Sequence, residues 1–285
     1  MRSYRVTHHT EYTYTTPVSS SFGEVIMQPR ELPGQRCAES RLDVDPAPHD
    51  LRERTDYFGN RTSYLAVLVP HSRLAITATS LVHVHRAPPP PGGPWDEPRD
   101  TDPEAVEFLL DSPQVTITPA LAEYAAASFR PGRDALDAVR DLAARIHRDF
   151  AYTPGATHVT TTIAEVLARR AGVCQDFAHL AVGCLRAVGL PARYVSGYLE
   201  TDPPPGRPRL AGADATHAWV SALLPGAGWV DVDPTNDQLV DDRYVTTAWG
   251  RDYTDVPPLK GVIFSQGTAH ELRVSVDVEA VEPAG

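Results

Sequence analysis

Apolar residues recur at every second position as far as His85 and at every third or fourth position beyond Pro103, and this change of period divides the chain. The early runs, Y-R-V-T-H-H-T-E-Y-T-Y, R-L-D-V-D-P, T-S-Y-L-A-V-L-V and R-L-A-I-T-A-T-S-L-V-H-V-H, are rich in β-branched and aromatic residues and are broken by turn signals. They predict an all-β, sandwich-like domain over residues 1–87. H-V-H puts His83 and His85 on one strand face, where solvated surface is expected rather than a metal. Residues 88–103 are proline-rich and read as an extended linker, because proline removes backbone donors and fixes φ. From 104 the helical period takes over, with Leu136, Val139, Leu142, Ala143 and Ile146 forming one stripe. A short helix is expected over Thr162–Arg169, capped by Thr161 or Thr162. After Pro191 the runs A-R-Y-V-S-G-Y-L, H-A-W-V-S-A-L-L and G-W-V-D-V-D read as antiparallel strands, and E-L-R-V-S-V-D-V-E-A-V as a last strand segment. Residues 104–285 are therefore expected to form an α+β core of helices packed on an antiparallel sheet.

Charge narrows the function classes. The net charge is -11 with a pI near 5.4, which disfavours nucleic acid and anionic membranes as partners. The first ten residues lack the apolar core of a signal peptide and no stretch is long and apolar enough to span a bilayer, so a cytoplasmic protein is expected. Cys37, Cys174 and Cys184 are too few for a disulfide framework and, with no C-x-x-C pair, suggest no structural zinc. Lys260 is the single lysine, which makes the chain a poor lysine donor to itself.

In G-V-C-Q-D-F-A-H-L, Cys174 follows Gly172 and opens a helical run. A helix N-terminus favours thiolate over thiol, whereas Cys184, mid-helix, reads as an inert core residue. By itself Cys174 is as often a core residue as a nucleophile. Two later segments change that: His217 begins a strand in A-T-H-A-W-V, and D-V-D ends the next, with a P-G-A-G turn between. Adjacent antiparallel strands bring an imidazole beside a carboxylate, the arrangement a cysteine nucleophile needs. Asp231 and Asp233 share a strand face; Asp233, at the rim before Pro234, is favoured and Asp231 is the fallback. The Cys174 N–H is one candidate oxyanion donor, and Tyr152 or Gln175 a second. Trp219 and Trp229 are expected to pack beside the site or line an acyl-donor groove. Asp176 and His179 read as a structural pair, and residues 203–214 as a lid over the cleft.

G-V-C-Q-D-F-A, G-L-P-A-R-Y-V-S-G-Y, T-H-A-W-V and W-V-D-V-D-P-T-N resemble, in order and spacing, the catalytic blocks of the transglutaminase-like superfamily. P-R-E-L-P-G-Q-R and D-Y-F-G-N-R resemble the β-rich N-terminal region of its bacterial two-part members, and G-R-D-Y-T-D-V-P-P-L-K-G-V their C-terminal signature. The resemblance implies a papain-like core with Cys174, His217 and Asp233 matching the family triad. It also implies a peptide or protein substrate with a carboxamide, attacked by the thiolate, and an acyl group passed to an amine acceptor or to water. No cofactor is expected, and no acidic loop of the calcium-binding type is present. A peptidase using water alone is the alternative within enzymes; a non-catalytic assembly module is the alternative outside them.

Overall fold

The computed structural model describes residues 1–97, 102–201, 216–265, 267 and 270–282. Six strands come first: β1 (Arg2–Val18), β2 (Ser20–Val25), β3 (Gln35–Asp45), β4 (Asp50–Thr55), β5 (Arg61–Val67) and β6 (His71–Val84). Helices α1 (Pro103–Val106), α2 (Pro119–Ala126) and α3 (Ala135–Asp149) follow, then the two-residue β7 (Ala151–Tyr152), α4 (Ile163–Arg169), β8 (Ala171–Gly172) and α5 (Cys174–Ala187). The chain continues through β9 (Ala192–Leu199), β10 (Thr216–Leu224), β11 (Gly228–Asp233), β12 (Gln238–Leu239) and β13 (Tyr244–Gly250), and closes with β14 (Leu259–Phe264) and β15 (His270–Ala280). No helix among the described residues is long and apolar enough to cross a membrane.

Two four-stranded antiparallel sheets, β15-β1-β6-β3 and β14-β2-β5-β4, form the β module. Tyr14, Val18, Leu74 and Ile76 of the first meet Val25, Leu65 and Val67 of the second in one buried cluster. This corrects the expected division, which left the last strands with residues 104–285. Tyr4 pairs with Ala280 across β1 and β15, and Val25 with Leu259 across β2 and β14, so both C-terminal strands complete the N-terminal sheets. Pairing partners are chosen by edges left open elsewhere, not by neighbourhood in sequence.

The core holds the five-stranded antiparallel sheet β12-β11-β10-β9-β13. Helix α5, buried from Asp176 to Arg186, lies against β9 and β10. The stripe of α3 buries Val139, Leu142, Ala143 and Ile146 in the same cluster as Phe177, Leu180 and Val220. Arg186 reaches out of this apolar interior to the carbonyls of Leu110, Ala192 and Arg251, so a buried cation is satisfied by backbone.

The two parts share a seam. Tyr4, Val6, Val82 and Val276 bury against Tyr198 and Val245 of the core sheet. Gln35 donates to the carbonyl of Thr246 at 2.8 Å and accepts from its N–H at 2.8 Å, which inserts a side-chain amide into the edge of β13. Asn60 does the same at Trp249, and the Arg30 guanidinium stacks on the Trp249 ring at 3.5 Å. The P-R-E-L-P-G-Q and D-Y-F-G-N segments are thus docking elements. The described part of the proline-rich stretch is also fastened: Trp95 donates to the Arg130 carbonyl at 2.8 Å, and Gly93 and Arg133 accept from Ala135 and Trp95.

Candidate active site

Cys174 is the first residue of α5 and is half-buried. The strand before it ends at Gly172, which does not have a positive φ. Glycine is needed there for space: a Cβ would stand 2.7 Å from Asp176 Oδ2 and 2.9 Å from its Cβ. The Asp176 carboxylate folds back to accept from the Val173 N–H at 2.8 Å and from the Thr157 hydroxyl at 2.6 Å. Val173, at the N-cap, carries no side-chain acceptor, and the Asp176 carboxylate is the side-chain tie of the turn that presents the thiol. Among the described residues the Cys174 N–H has no acceptor, as the first N–H groups of a helix leave open.

The other two thiols sit differently. Burial pushes Cys184 up to about 12 and raises Cys37. His179 is neutral and structural: burial lowers it to about 4, its Nε2 accepts from the Tyr253 N–H at 3.1 Å, and its ring lies 4.8 Å from that of Tyr194. It makes no pair with Asp176.

His217 is the second residue of β10, and Asp233 the last of β11; the strands are antiparallel, with Val220 opposite Val232. His217 Nε2 donates to Asp233 Oδ2 at 2.7 Å. Cys174, at the start of α5, is near enough to act electrostatically on the same imidazole. Burial by itself would lower the imidazole, but the hydrogen bond to Asp233, the charge of that carboxylate and the nearby Cys174 outweigh this and raise it to about 10. Asp233 is fully buried. Burial works against its ionisation, yet hydrogen bonds from His217, Asn236 and Tyr244 hold its carboxyl below the ordinary value. Oδ2 also accepts from Asn236 Nδ2 and the Tyr244 hydroxyl, each at 2.7 Å; Oδ1 accepts from the N–H groups of Thr235 at 2.8 Å and Asn236 at 3.3 Å.

Asp231, the fallback, is turned elsewhere: it lies 3.8 Å from Arg86 and accepts from Trp219 Nε1 at 3.4 Å. Trp219 is fully buried, its ring 6.2 Å from His217 and 5.3 Å from Tyr244, so it backs the site and lines no open groove. Glycine at 197 leaves room for both strand and ring, since a Cβ there would collide with the Val245 carbonyl oxygen and lie 2.5 Å from the Trp219 indole. Trp229 packs under Arg193 at 4.1 Å and against Phe108. Tyr152 is 55% exposed with its ring 6.4 Å from Phe177, at the rim near Cys174. Gln175 directs its amide to the Val159 carbonyl at 3.4 Å. The expected lid, residues 203–214, lies outside the described residues. Among the described residues no cluster of three His, Cys, Asp or Glu side chains is arranged to hold a metal.

Sequence reasoning missed Tyr244 and Asn236. Asn236 stood in the quoted D-P-T-N, where an amide three residues after the carboxylate is a signal for a side chain folding back on it. Tyr244 had no local signal.

This geometry stands within recognisable boundaries. Residues 4–83 match the bacterial transglutaminase-like N-terminal region, and residues 122–234, which contain Cys174, His217 and Asp233, match the transglutaminase-like superfamily. An uncharacterised protein of Mycobacterium tuberculosis is 50% identical over 294 residues, covering 98% of this chain and 93% of its own. A stretch of 92 residues is 39% identical to a protein-glutamine gamma-glutamyltransferase of Pseudomonas aeruginosa, over 31% of this chain and 14% of that one. The fold is shared with a candidate cysteine protease of Cytophaga hutchinsonii, with a TM-score of 0.78 at 21% identity over 100% of this chain and 93% of that chain. The chain belongs to the transglutaminase-like superfamily, as a bacterial two-part member in which the superfamily core follows its characteristic N-terminal region.

Proposed function

We propose that the protein is a thiol-dependent acyl transferase acting on carboxamides of peptides or proteins, with Cys174 as nucleophile, His217 as acid and base, and Asp233 as the orienting carboxylate. The observation that carries this is His217, hydrogen-bonded to a buried carboxylate and within electrostatic reach of a thiol at a helix start. In the first half-reaction the sulfur adds to the carboxamide carbon; as the C–N bond breaks, His217 delivers its proton to the leaving nitrogen and a thioester remains. In the second, an amine or water attacks the thioester, His217 takes its proton and the C–S bond breaks. The Cys174 N–H is a donor for the oxyanion in both. The likeness of a 92-residue stretch to a protein-glutamine gamma-glutamyltransferase supports an amine as acceptor; hydrolysis is the same route with water.

Iodoacetamide is expected to alkylate Cys174 at least about tenfold faster than Cys37 or Cys184 near neutral pH, with the advantage lost in His217→Ala. A glutamine peptide with a labelled primary amine then separates the acceptors: incorporation of label supports transfer, deamidation or cleavage supports water. Equal alkylation of all three thiols would overturn the reading.

A further inference from the structure

The buried side of Asp233 is held by a chain of hydrogen bonds whose direction follows from what each group is able to donate. Arg243 has only donors. Its guanidinium, anchored by Nε to Asp241 at 3.1 Å, donates to Gln238 Oε1 at 2.8 Å. The Gln238 carbonyl is thereby fixed, and its amide nitrogen must face the other way, where it donates to the Tyr244 hydroxyl oxygen. A phenol has one proton. With its oxygen accepting from Gln238, that proton is directed to Asp233 Oδ2, 2.7 Å away. Strand pairing keeps the chain in place, since Gln238 sits opposite Asp233 across β11 and β12 and Tyr244 is the first residue of β13. The fully buried Tyr244 ring meanwhile lies 6.0 Å from that of His217.

We propose that Tyr244 is a positioning residue for this site: aimed by Gln238 and Arg243, its hydroxyl fixes the Asp233 carboxylate, and through it the direction in which His217 meets Cys174. The inference rests on the catalytic reading above for its consequence, but not for the hydrogen-bond chain itself. Oδ2 is shared among His217, Asn236 and Tyr244, so the carboxylate orients the imidazole without taking its proton. The titratable groups facing Asp233 are His217 from β10 and Tyr244 from β13; Cys174 of α5 acts through His217. Asp231 is turned to Arg86, and His147 of α3 donates to the Thr235 carbonyl at 2.8 Å.

Two near-isosteric variants alter the donors in this chain. Tyr244→Phe retains the ring and removes the donor. Gln238→Glu replaces the donor to the phenol with an acceptor, so the hydroxyl proton is drawn away from Asp233. Nitrogen-15 titration of His217 reads the site without turnover: its acid-side transition, which reports protonation of Asp233, is expected to move up by about half to one pH unit in both variants. The Cys174 alkylation rate at neutral pH is expected to fall about three- to tenfold in both, as loss of a hydrogen bond to a charged group gives. Wild-type titration and wild-type rate in both variants would overturn the inference, because a ring that only fills space is still present in each. Unselective alkylation in the wild type would instead remove the catalytic reading, and the His217 titration would still decide the role of Tyr244.

Discussion

Five hydrogen bonds converge on Asp233, and they make stability depend on pH in two opposite ways. The folded carboxyl titrates below its ordinary 3.8, so its contribution is complete above that value and is lost as pH falls through the folded pKa. His217 is raised from 6.5 to about 10, so its contribution is complete below 6.5 and is lost as pH rises through about 10. Urea midpoints measured across the pH range are therefore expected to fall at both ends, with Asp233→Asn flattening the acid limb and His217→Ala the alkaline limb. A limb unchanged by its own variant would assign that titration to another group. At this scale the sequence was informative where chemistry and position coincide. A cysteine after a glycine at a helix start, a histidine opening a strand and an aspartate closing the next are local signals. Asp233 was favoured over Asp231 on a rim argument; the carboxylate that bonds His217 is indeed that of Asp233, but it is fully buried and not at a rim. Tyr244 was illegible because a strand tyrosine reads as core filling, and only the folded sheet shows where its hydroxyl ends.

The element that matters most is the start of α5. Val173 offers no N-cap acceptor; Asp176 supplies the return half of the cap by accepting from the Val173 N–H and also bonds Thr157, and Gly172 leaves room for it. Asp176→Ala removes both bonds and is expected to cost about 1–3 kcal/mol of stability. It should also slow Cys174 alkylation while leaving Cys37 alkylation unchanged. Unfolding curves together with thiol mapping check both, and a stable variant with full Cys174 reactivity would show that the turn holds without its tie. Helix α4 was legible almost to the residue, because Thr162 and Glu165 form a capping box visible as T-x-x-E. Gly172 has no positive φ and serves as clearance for the Asp176 side chain. A sequence shows that a glycine is present but not which of glycine's two freedoms is being used.

At the scale of the molecule, the change of period at the proline-rich stretch marks a real change of architecture but not the end of the β module, because β14 and β15 return to it. Periodicity tells a strand which face is buried; it does not tell it which sheet to join. The seam between the parts is continuous, with Tyr198 and Val245 buried under β1, β6 and β15, and with Arg30, Gln35 and Asn60 bonded into β13. Deleting residues 1–87 would expose that face and leave β14 and β15 without partners, so the shortened chain is expected to lose cooperative unfolding and to bind a hydrophobic dye. A sharp calorimetric transition from residues 88–285 would show instead that the core folds alone. The pairing of Tyr4 with Ala280 also fixes an order of events on the ribosome. The first strand made must wait for nearly the last residues translated before its outer edge is covered. The half of the chain that carries Cys174, His217 and Asp233 is thus synthesised between two pieces of its own support, and a nascent chain released early would carry all three on an unfinished frame.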